Sequence, residues 1–195
     1  MLKRTFDVLS SLVVLLLVSP FFVLVSTLII FDSKGGVFYK QKRVGENQVL
    51  FCLYKFRTMR PDSDQVKITV GDRDPRVTSV GYYLRKFKLD ELPQLINILK
   101  GEMSVVGPRP EVKQYVDLYS KEQLQVLTVK PGLSDLATLE YVKESELLSK
   151  SCHPEKTYVE EIMPDKLRLN LKYIELQSFA LDLEIIFKTF AKIIG

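Results

Sequence analysis

The sequence predicts an α+β protein, mostly helical, whose N-terminal segment is embedded in a membrane. Three observations carry this. An apolar run without a charge extends from Val8 to Phe31. Two segments rich in β-branched and aromatic residues flank Gly45-Glu46-Asn47. Much of the rest repeats its apolar residues at helical spacing.

The apolar run exceeds the roughly 20 residues that cross a bilayer. Ser19-Pro20 sits near its middle. Pro20 has no N–H and its ring crowds the carbonyl of Leu16, so a kink or break is expected there. Basic residues flank the run on both sides: Lys3 and Arg4 before it, Lys34, Lys40, Lys42 and Arg43 after it. The positive-inside bias then favours both ends in the cytoplasm. The expected element is a re-entrant helix-break-helix over residues 1–33, with Ser19 hydrogen-bonding a carbonyl freed at the break. A single transmembrane anchor and a cleaved signal peptide are the alternatives. The run is longer than the roughly 7–15 apolar residues of a signal peptide, and Phe31-Asp32-Ser33-Lys34 is a poor cleavage site.

Residues 34–195 then form the cytoplasmic part of a single domain spanning residues 1–195. Val37 to Lys42 and Val49 to Tyr54 read as a β-hairpin. Met59 to Pro75 is polar and reads as a surface loop. Val80 to Lys86 is a short helix. Leu92, Leu95, Ile96 and Leu99 mark a helix that Gly101 ends. Glu111 to Leu127 reads as helical, and Pro131-Gly132 punctuates the chain. Asp165 to Ile194 forms one or two amphipathic helices, with Leu183, Ile186, Phe187, Phe190, Ile193 and Ile194 on one apolar face. That face suits core packing or a membrane interface.

Composition narrows the function. The net charge is +4, and the basic residues gather at Lys34 to Arg43, at Lys55, Arg57 and Arg60, and from Arg73 to Lys88. Such clusters suit anionic lipid or a phosphorylated ligand. Beside a membrane segment, nucleic acid is not expected. Cys52 and Cys152 are too few for a disulfide scaffold, and a reducing compartment fits. His153 is the only histidine. It reads as a surface residue, and a histidine-rich zinc site is excluded.

The chemistry concentrates in Arg85-Lys86-Phe87-Lys88-Leu89-Asp90-Glu91-Leu92-Pro93-Gln94. Pro93 suits the first turn of a helix, which sets Asp90 and Glu91 at its N-terminus. There they serve as a cap and a first-turn acid, or as a nucleophile and a magnesium-binding pair. Mg²⁺ keeps several waters and takes one or two carboxylates together with substrate phosphates. Arg85, Lys86 and Lys88 stand upstream to neutralise phosphate, which meets most of the needs of phosphoryl transfer. Arg109 lies between two prolines, so its bidentate fork sits on a stiff loop. Lys55 and Arg57 alternate with aromatics, facing the same basic pocket or solvent.

These segments resemble the bacterial sugar transferases, the small monotopic phosphoglycosyl transferases. The likeness rests on Lys3-Arg4 with Asp7, Ser19-Pro20, Tyr54 to Met59, Arg85 to Gln94, Asn97, Gly101 to Pro110, and Lys130-Pro131-Gly132-Leu133. Tyr173, Ser178 and Asp182 continue it, so it covers nearly the whole chain. No GxxxxGK loop or GxGxxG fingerprint competes. The resemblance implies transfer of a phosphosugar from a UDP-sugar to a polyprenyl (undecaprenyl) phosphate, on the cytoplasmic face of the bacterial inner membrane. UMP would leave and glycan assembly would begin. It assigns Asp90 as covalent nucleophile, Glu91 as its partner in assistance and in holding Mg²⁺, and Arg85 and Arg109 as phosphate or nucleotide ligands. Lys55, Arg57 and Pro110 join the substrate-binding set, and Ser19-Pro20 marks the membrane break. The expected partners are the sugar nucleotide, the polyprenyl phosphate and the phospholipid bilayer, and a homodimer stays open.

Three positions depart from the family pattern. Ser134-Asp135-Leu136-Ala137 stands where Thr-Gly-Leu-Ala is common, Asn170 where aspartate is frequent, and Glu102 where aspartate is common. The first two bear on the identity of the sugar more than on the reaction, and Glu102 preserves the charge. A membrane-anchored adaptor that binds anionic lipid, and a transferase that spans the membrane once, are the competing readings.

Overall fold

The N-terminal helix α1 occupies Leu2–Asp32, and the helix runs through Pro20. The computed structural model describes residues 2–61 and 74–194, so most of the polar loop expected from Met59 to Pro75 lies outside the described residues. The helical hydrogen-bonded segment is continuous at Pro20, the position of the expected kink or break. A proline deletes one backbone hydrogen bond of the helix, and the carbonyl it orphans is that of Leu16. The Ser19 hydroxyl donates to that carbonyl at 2.8 Å. This is the bond anticipated for Ser19 from the sequence.

One stripe of α1 packs on the rest of the molecule along almost its full length. Asp7, Ser11, Val25 and Ile29 are buried, and Leu15 and Phe22 between them pack on core clusters. Both ends are also tied down. Lys3 donates to the Val106 carbonyl at 2.9 Å and pairs with Asp182 at 2.6 Å. The Asp7 carboxylate accepts from the Ser104 hydroxyl at 2.8 Å and from the Val105 N–H at 3.1 Å. At the far end Asp32 accepts from the Val80 N–H at 2.8 Å, and Arg57 donates to the Ser33 carbonyl at 2.7 Å. The remaining face exposes Leu9, Leu12, Val13, Leu17, Val23, Leu24 and Phe31. By length and composition α1 can cross a membrane.

Strands β1 (Phe38–Val44) and β2 (Leu50–Phe56) form the expected hairpin, each extending two residues further than anticipated, in a register that pairs Phe38 with Phe56 and Val44 with Leu50. Helix α2 (Ser79–Lys86) is capped by Thr78, whose hydroxyl accepts from the Gly81 N–H at 3.0 Å. Helix α3 (Gln94–Lys100) ends at Gly101, which adopts φ 85. Phe51 and Leu53 of β2 pack on Leu95, Ile98 and Met103. Asn97, fully buried, stitches α3 to the hairpin. Its oxygen accepts from the Tyr54 N–H at 3.0 Å, and its amide nitrogen donates to the Cys52 carbonyl and to Glu102, both at 2.7 Å. Glu102, one of the three departures, therefore keeps a structural carboxylate in place.

A parallel pair, β3 (Ser104–Val106) with β4 (Gly132–Ser134), was not anticipated. Gly107 and Gly132 meet here backbone to backbone. A Cβ on Gly107 would lie 2.4 Å from the Lys130 carbonyl oxygen, and one on Gly132 would lie 2.1 Å from the Gly107 nitrogen. Only glycine permits this approach. It brings the Gly-Pro-Arg-Pro and Pro-Gly-Leu segments into one unit.

The long helix expected over residues 111–127 is replaced by α4 (Lys113–Val116) and a separate 3₁₀ turn over Gln123–Thr128. Ser120 and Gln123 bond each other's backbone N–H with their side chains, at 3.2 and 2.9 Å. This reciprocal cap starts a new turn instead of continuing the old one. The chain continues through α5 (Leu136–Glu140), α6 (Glu144–Ser149), α7 (Pro154–Thr157) and a π-helical stretch, Tyr158–Ile162. Helices α8 (Met163–Leu176) and α9 (Phe179–Ile194) close the fold. Asp135, the second departure, caps α5. Its carboxylate accepts from the Thr138 N–H at 2.7 Å and the Thr138 hydroxyl at 2.6 Å. His153 is exposed, as expected, and both cysteines are free.

Of the two expected uses of the apolar face of α9, core packing does not claim its phenyl rings. Asp182 and Ile185 are buried, whereas Phe187 and Phe190 keep 71% and 60% of their surface. Asp182 accepts from the Tyr173 hydroxyl at 2.6 Å and pairs with Lys3. That buried network fixes the rotation of the helix and leaves two phenyl rings outside.

Candidate active site

Asp90 and Glu91 lie on a 3₁₀ turn, Leu89–Glu91, immediately before Pro93 and α3. Lys88 precedes the turn with φ 55, a left-handed conformation that a β-carbon tolerates poorly. It swings the chain between α2 and the turn and points the two carboxylates inward. Each keeps only 8% of its surface.

The two neighbours have opposite surroundings. Glu91 is clamped. Lys55, from β2, donates to its Oε1 at 2.8 Å. Arg109 donates to Oε2 at 3.2 Å and also bonds Oε1, so its fork grips both oxygens. Burial alone would raise the Glu91 pKa, but the charges and hydrogen bonds of Arg109 and Lys55 outweigh it and hold the carboxyl well below the usual range. Asp90 accepts no hydrogen bond among the described residues. Burial pushes its pKa up, and the charges of Lys55, Arg85 and Lys88 offset this only in part while Glu91 adds to it. Burial likewise lowers the Lys55 pKa, and the Glu91 charge raises that of Arg109. Two adjacent carboxylates pushed apart in this way are suited to different roles.

A cleft of about 1310 Å³ opens over this pair. All seven expected residues of the site line it: Lys55, Arg57, Arg85, Asp90, Glu91, Arg109 and Pro110. They are not equivalent. The Arg85 side chain makes no hydrogen bond or ion pair among the described residues and is free for an anion. Arg109 is committed to Glu91. Arg57 is buried and donates to the carbonyls of Ser33 and Ile29, so it clasps the end of α1. Pro110 contributes its carbonyl, which accepts from Arg43 at 3.2 Å. Ser19 and Pro20 stand in α1, apart from the cleft.

The chain matches the family model for bacterial sugar transferases over residues 1–195. It belongs to that family. The exopolysaccharide production protein ExoY of Rhizobium meliloti (strain 1021) is 40% identical, over 97% of this chain and 84% of that protein. The UDP-glucose:undecaprenyl-phosphate glucose-1-phosphate transferase of Escherichia coli (strain K12) is 35% identical over 98% of this chain. A UDP-N-acetylgalactosamine-undecaprenyl-phosphate N-acetylgalactosaminephosphotransferase of Aeromonas hydrophila is 35% identical over 99% of it. The chain spans 40% and 44% of the length of those last two proteins.

Among the described residues no group of three or more His, Cys, Asp or Glu side chains is placed to hold a metal ion. Both Glu91 oxygens are occupied by cations, and Asp90 alone presents free carboxylate oxygens. One carboxylate with substrate phosphates and water still suits Mg²⁺.

On the far wall of the cleft stand Thr138, Glu144, Lys166 and Asn170; the sequence marks Asn170 as a departure from the family pattern, whereas Thr138, Glu144 and Lys166 were missed. Glu144 and Lys166 are paired at 2.7 Å. The signal was present in α8. Its buried stripe is Met163, Leu167, Asn170 and Tyr173, with an amide inside an otherwise apolar or aromatic row.

Proposed function

We propose that this protein transfers a phosphosugar from a UDP-sugar to undecaprenyl phosphate in two steps, through an aspartyl-phosphosugar on Asp90. The observation that carries this is the contrast between the carboxylates. Asp90 is desolvated and free of hydrogen bonds, while Glu91 is locked by two cations. A carboxylate stripped of its partners is the better nucleophile. In the first step an Asp90 oxygen attacks the sugar-bearing phosphorus. The bond from that phosphorus to the bridging oxygen breaks, and UMP leaves with the electron pair. In the second step an oxygen of the polyprenyl phosphate attacks the same phosphorus and the Asp90 carboxylate is released. Arg85 holds the phosphate oxygens, and the clamped Glu91 keeps Lys55 and Arg109 at the edge of the phosphate site. Mg²⁺ would be held by Asp90 and the donor phosphates and would neutralise diphosphate charge.

The membrane reading has its own support. Both ends of α1 are hydrogen-bonded into one domain, and an uncharged apolar face lies between them. A helix packed lengthwise on a domain and apolar on its other side is suited to lie in one leaflet and return to its starting face. The exposed Phe187 and Phe190 of α9 add a second apolar contact for the same interface. The domain would then sit on the cytoplasmic face of the inner membrane.

The test is to trap the intermediate. The protein in detergent is incubated with a UDP-sugar and Mg²⁺ but no lipid acceptor, quenched and digested. The expected result is UMP in amounts stoichiometric with enzyme and a phosphosugar mass on the peptide containing Asp90. UMP release only when polyprenyl phosphate is present, with no adduct, would favour direct transfer.

A further inference from the structure

The wall of the cleft beyond Arg109 carries a polar constellation that the transfer chemistry does not use. Asn170 of α8 retains 4% of its surface and lines the cleft. Its side-chain oxygen is buried without a partner among the described residues. A buried amide left unbonded is costly, so such groups are normally satisfied. Beside it on the same wall are Glu144 and Lys166, an ion pair at 2.7 Å whose side chains keep 28% and 14% of their surface. Lys166 and Asn170 stand four residues apart on one helix and so share a face. Thr138 completes the wall from α5. This wall and the Asp90–Glu91–Arg109 group line the same cleft.

Chemically, the wall offers an amide that both donates and accepts, a carboxylate with acceptor capacity to spare, and an ammonium with donors to spare. A neutral group rich in hydroxyls matches all three, because each hydroxyl is at once donor and acceptor. A phosphate does not match, since Glu144 would repel it.

We infer that Asn170, with the Glu144–Lys166 pair, forms the subsite that holds the sugar ring of the donor and selects among sugars. This rests on the transferase reading above. The relatives are named for glucose in Escherichia coli and for N-acetylgalactosamine in Aeromonas hydrophila at the same 35% identity, so overall similarity does not choose between those sugars. They differ at C2 and in the direction of the C4 hydroxyl, and one hydrogen bond can read such a difference. A site built to bond a particular hydroxyl rejects its absence strongly.

The experiment measures UMP release from UDP-glucose, UDP-galactose, UDP-N-acetylglucosamine and UDP-N-acetylgalactosamine by the full chain in detergent, giving kcat and KM for each. UMP is measured in parallel as a product inhibitor. Asn170→Asp keeps the shape, Asn170→Leu removes the amide, and Lys166→Met removes the paired ammonium. Each variant is expected to compress the ratio of kcat/KM between the best donor and its C4 epimer by about tenfold, the factor one hydrogen bond commands. The change should appear chiefly in KM, with UMP inhibition within twofold of wild type, which also certifies that each variant is folded. Unchanged donor ratios in variants that still bind UMP would overturn the inference. So would a parallel loss of UMP affinity, which would assign the wall to the nucleoside. Failure of the wild-type chain to release UMP from any of the four donors is a different result: it removes the transferase reading itself, and this subsite with it.

Discussion

Arg109→Lys is the most informative single change. In the structure the Arg109 fork makes one contact to each oxygen of Glu91, at 3.2 Å to Oε2 and with a second bond to Oε1. A lysine keeps the charge but supplies a point, not a fork, and satisfies one oxygen at most. Lys55 already occupies Oε1 at 2.8 Å, so Oε2 is the oxygen left without a partner. Losing one hydrogen bond to a buried charged group costs about 1.5–3 kcal/mol. The Arg109 side chain keeps 31% of its surface, and solvent screening moves the expectation toward the lower figure. The result is a fall in kcat/KM of about tenfold to thirtyfold. The partition of that fall identifies the role. If Arg109 acts by holding Glu91 beside the reacting centre, kcat falls and KM moves little. If it grips the donor phosphates, KM rises. UMP release against donor concentration, with the lipid acceptor saturating, reads both. Activity within twofold of wild type would refute the clamp as a functional element.

Asp90→Asn preserves size and removes the anion. It is expected to abolish UMP release while leaving the melting temperature within about 2–4 °C, the equivalent of about 1 kcal/mol at this length. Substantial residual turnover would remove Asp90 as nucleophile. Ser19→Ala combined with Pro20→Leu restores the backbone donor and removes the hydroxyl that serves the Leu16 carbonyl, so the helix loses its built-in irregularity. Cysteines introduced at Lys3 and Lys34 should both label from the cytoplasmic side in the native sequence and should separate in part in the double variant. Labelling of the two native-sequence positions from opposite sides would refute the in-plane reading. Gly107→Ala places a methyl 2.4 Å from the Lys130 carbonyl oxygen, against backbone that cannot retreat without opening the β3–β4 pair. Overpacking of this kind costs about 1–3 kcal/mol, a fall of about 2–12 °C in thermal melting at this chain length. An unchanged melting temperature would show that the two loops are not held together.

Much of the fold is legible in the sequence because its signals are local. Hydropathy announces α1, alternation of β-branched and aromatic residues announces the hairpin, and Pro93 and Gly101 bracket α3. The Asp90-Glu91 pair is legible for the same reason, since a proline just downstream and cations just upstream set its place on a helix entrance. The sequence by itself therefore determined α1, the hairpin and α3, and which short segments carry chemistry. It could not say which of two adjacent carboxylates is free, because the cations that decide this come from 36 residues away in β2 and 18 residues away in the Gly-Pro-Arg-Pro loop. Nor could it foresee the parallel β3–β4 pair, which exists only because two distant glycines approach backbone to backbone. The rotation of α9 belongs with these. Hydropathy left the face of Phe187 and Phe190 to the core or to a membrane interface, and a buried network of Lys3, Tyr173 and Asp182, costly to leave unsatisfied, turns another face inward. At Pro20 a local rule forecast an orphaned carbonyl, and the Ser19 hydroxyl bonds it as expected. Periodicity and capping act within a turn or two of chain. The partners of a buried charge are chosen by whichever segments the fold delivers to it, and only the tertiary structure makes that choice.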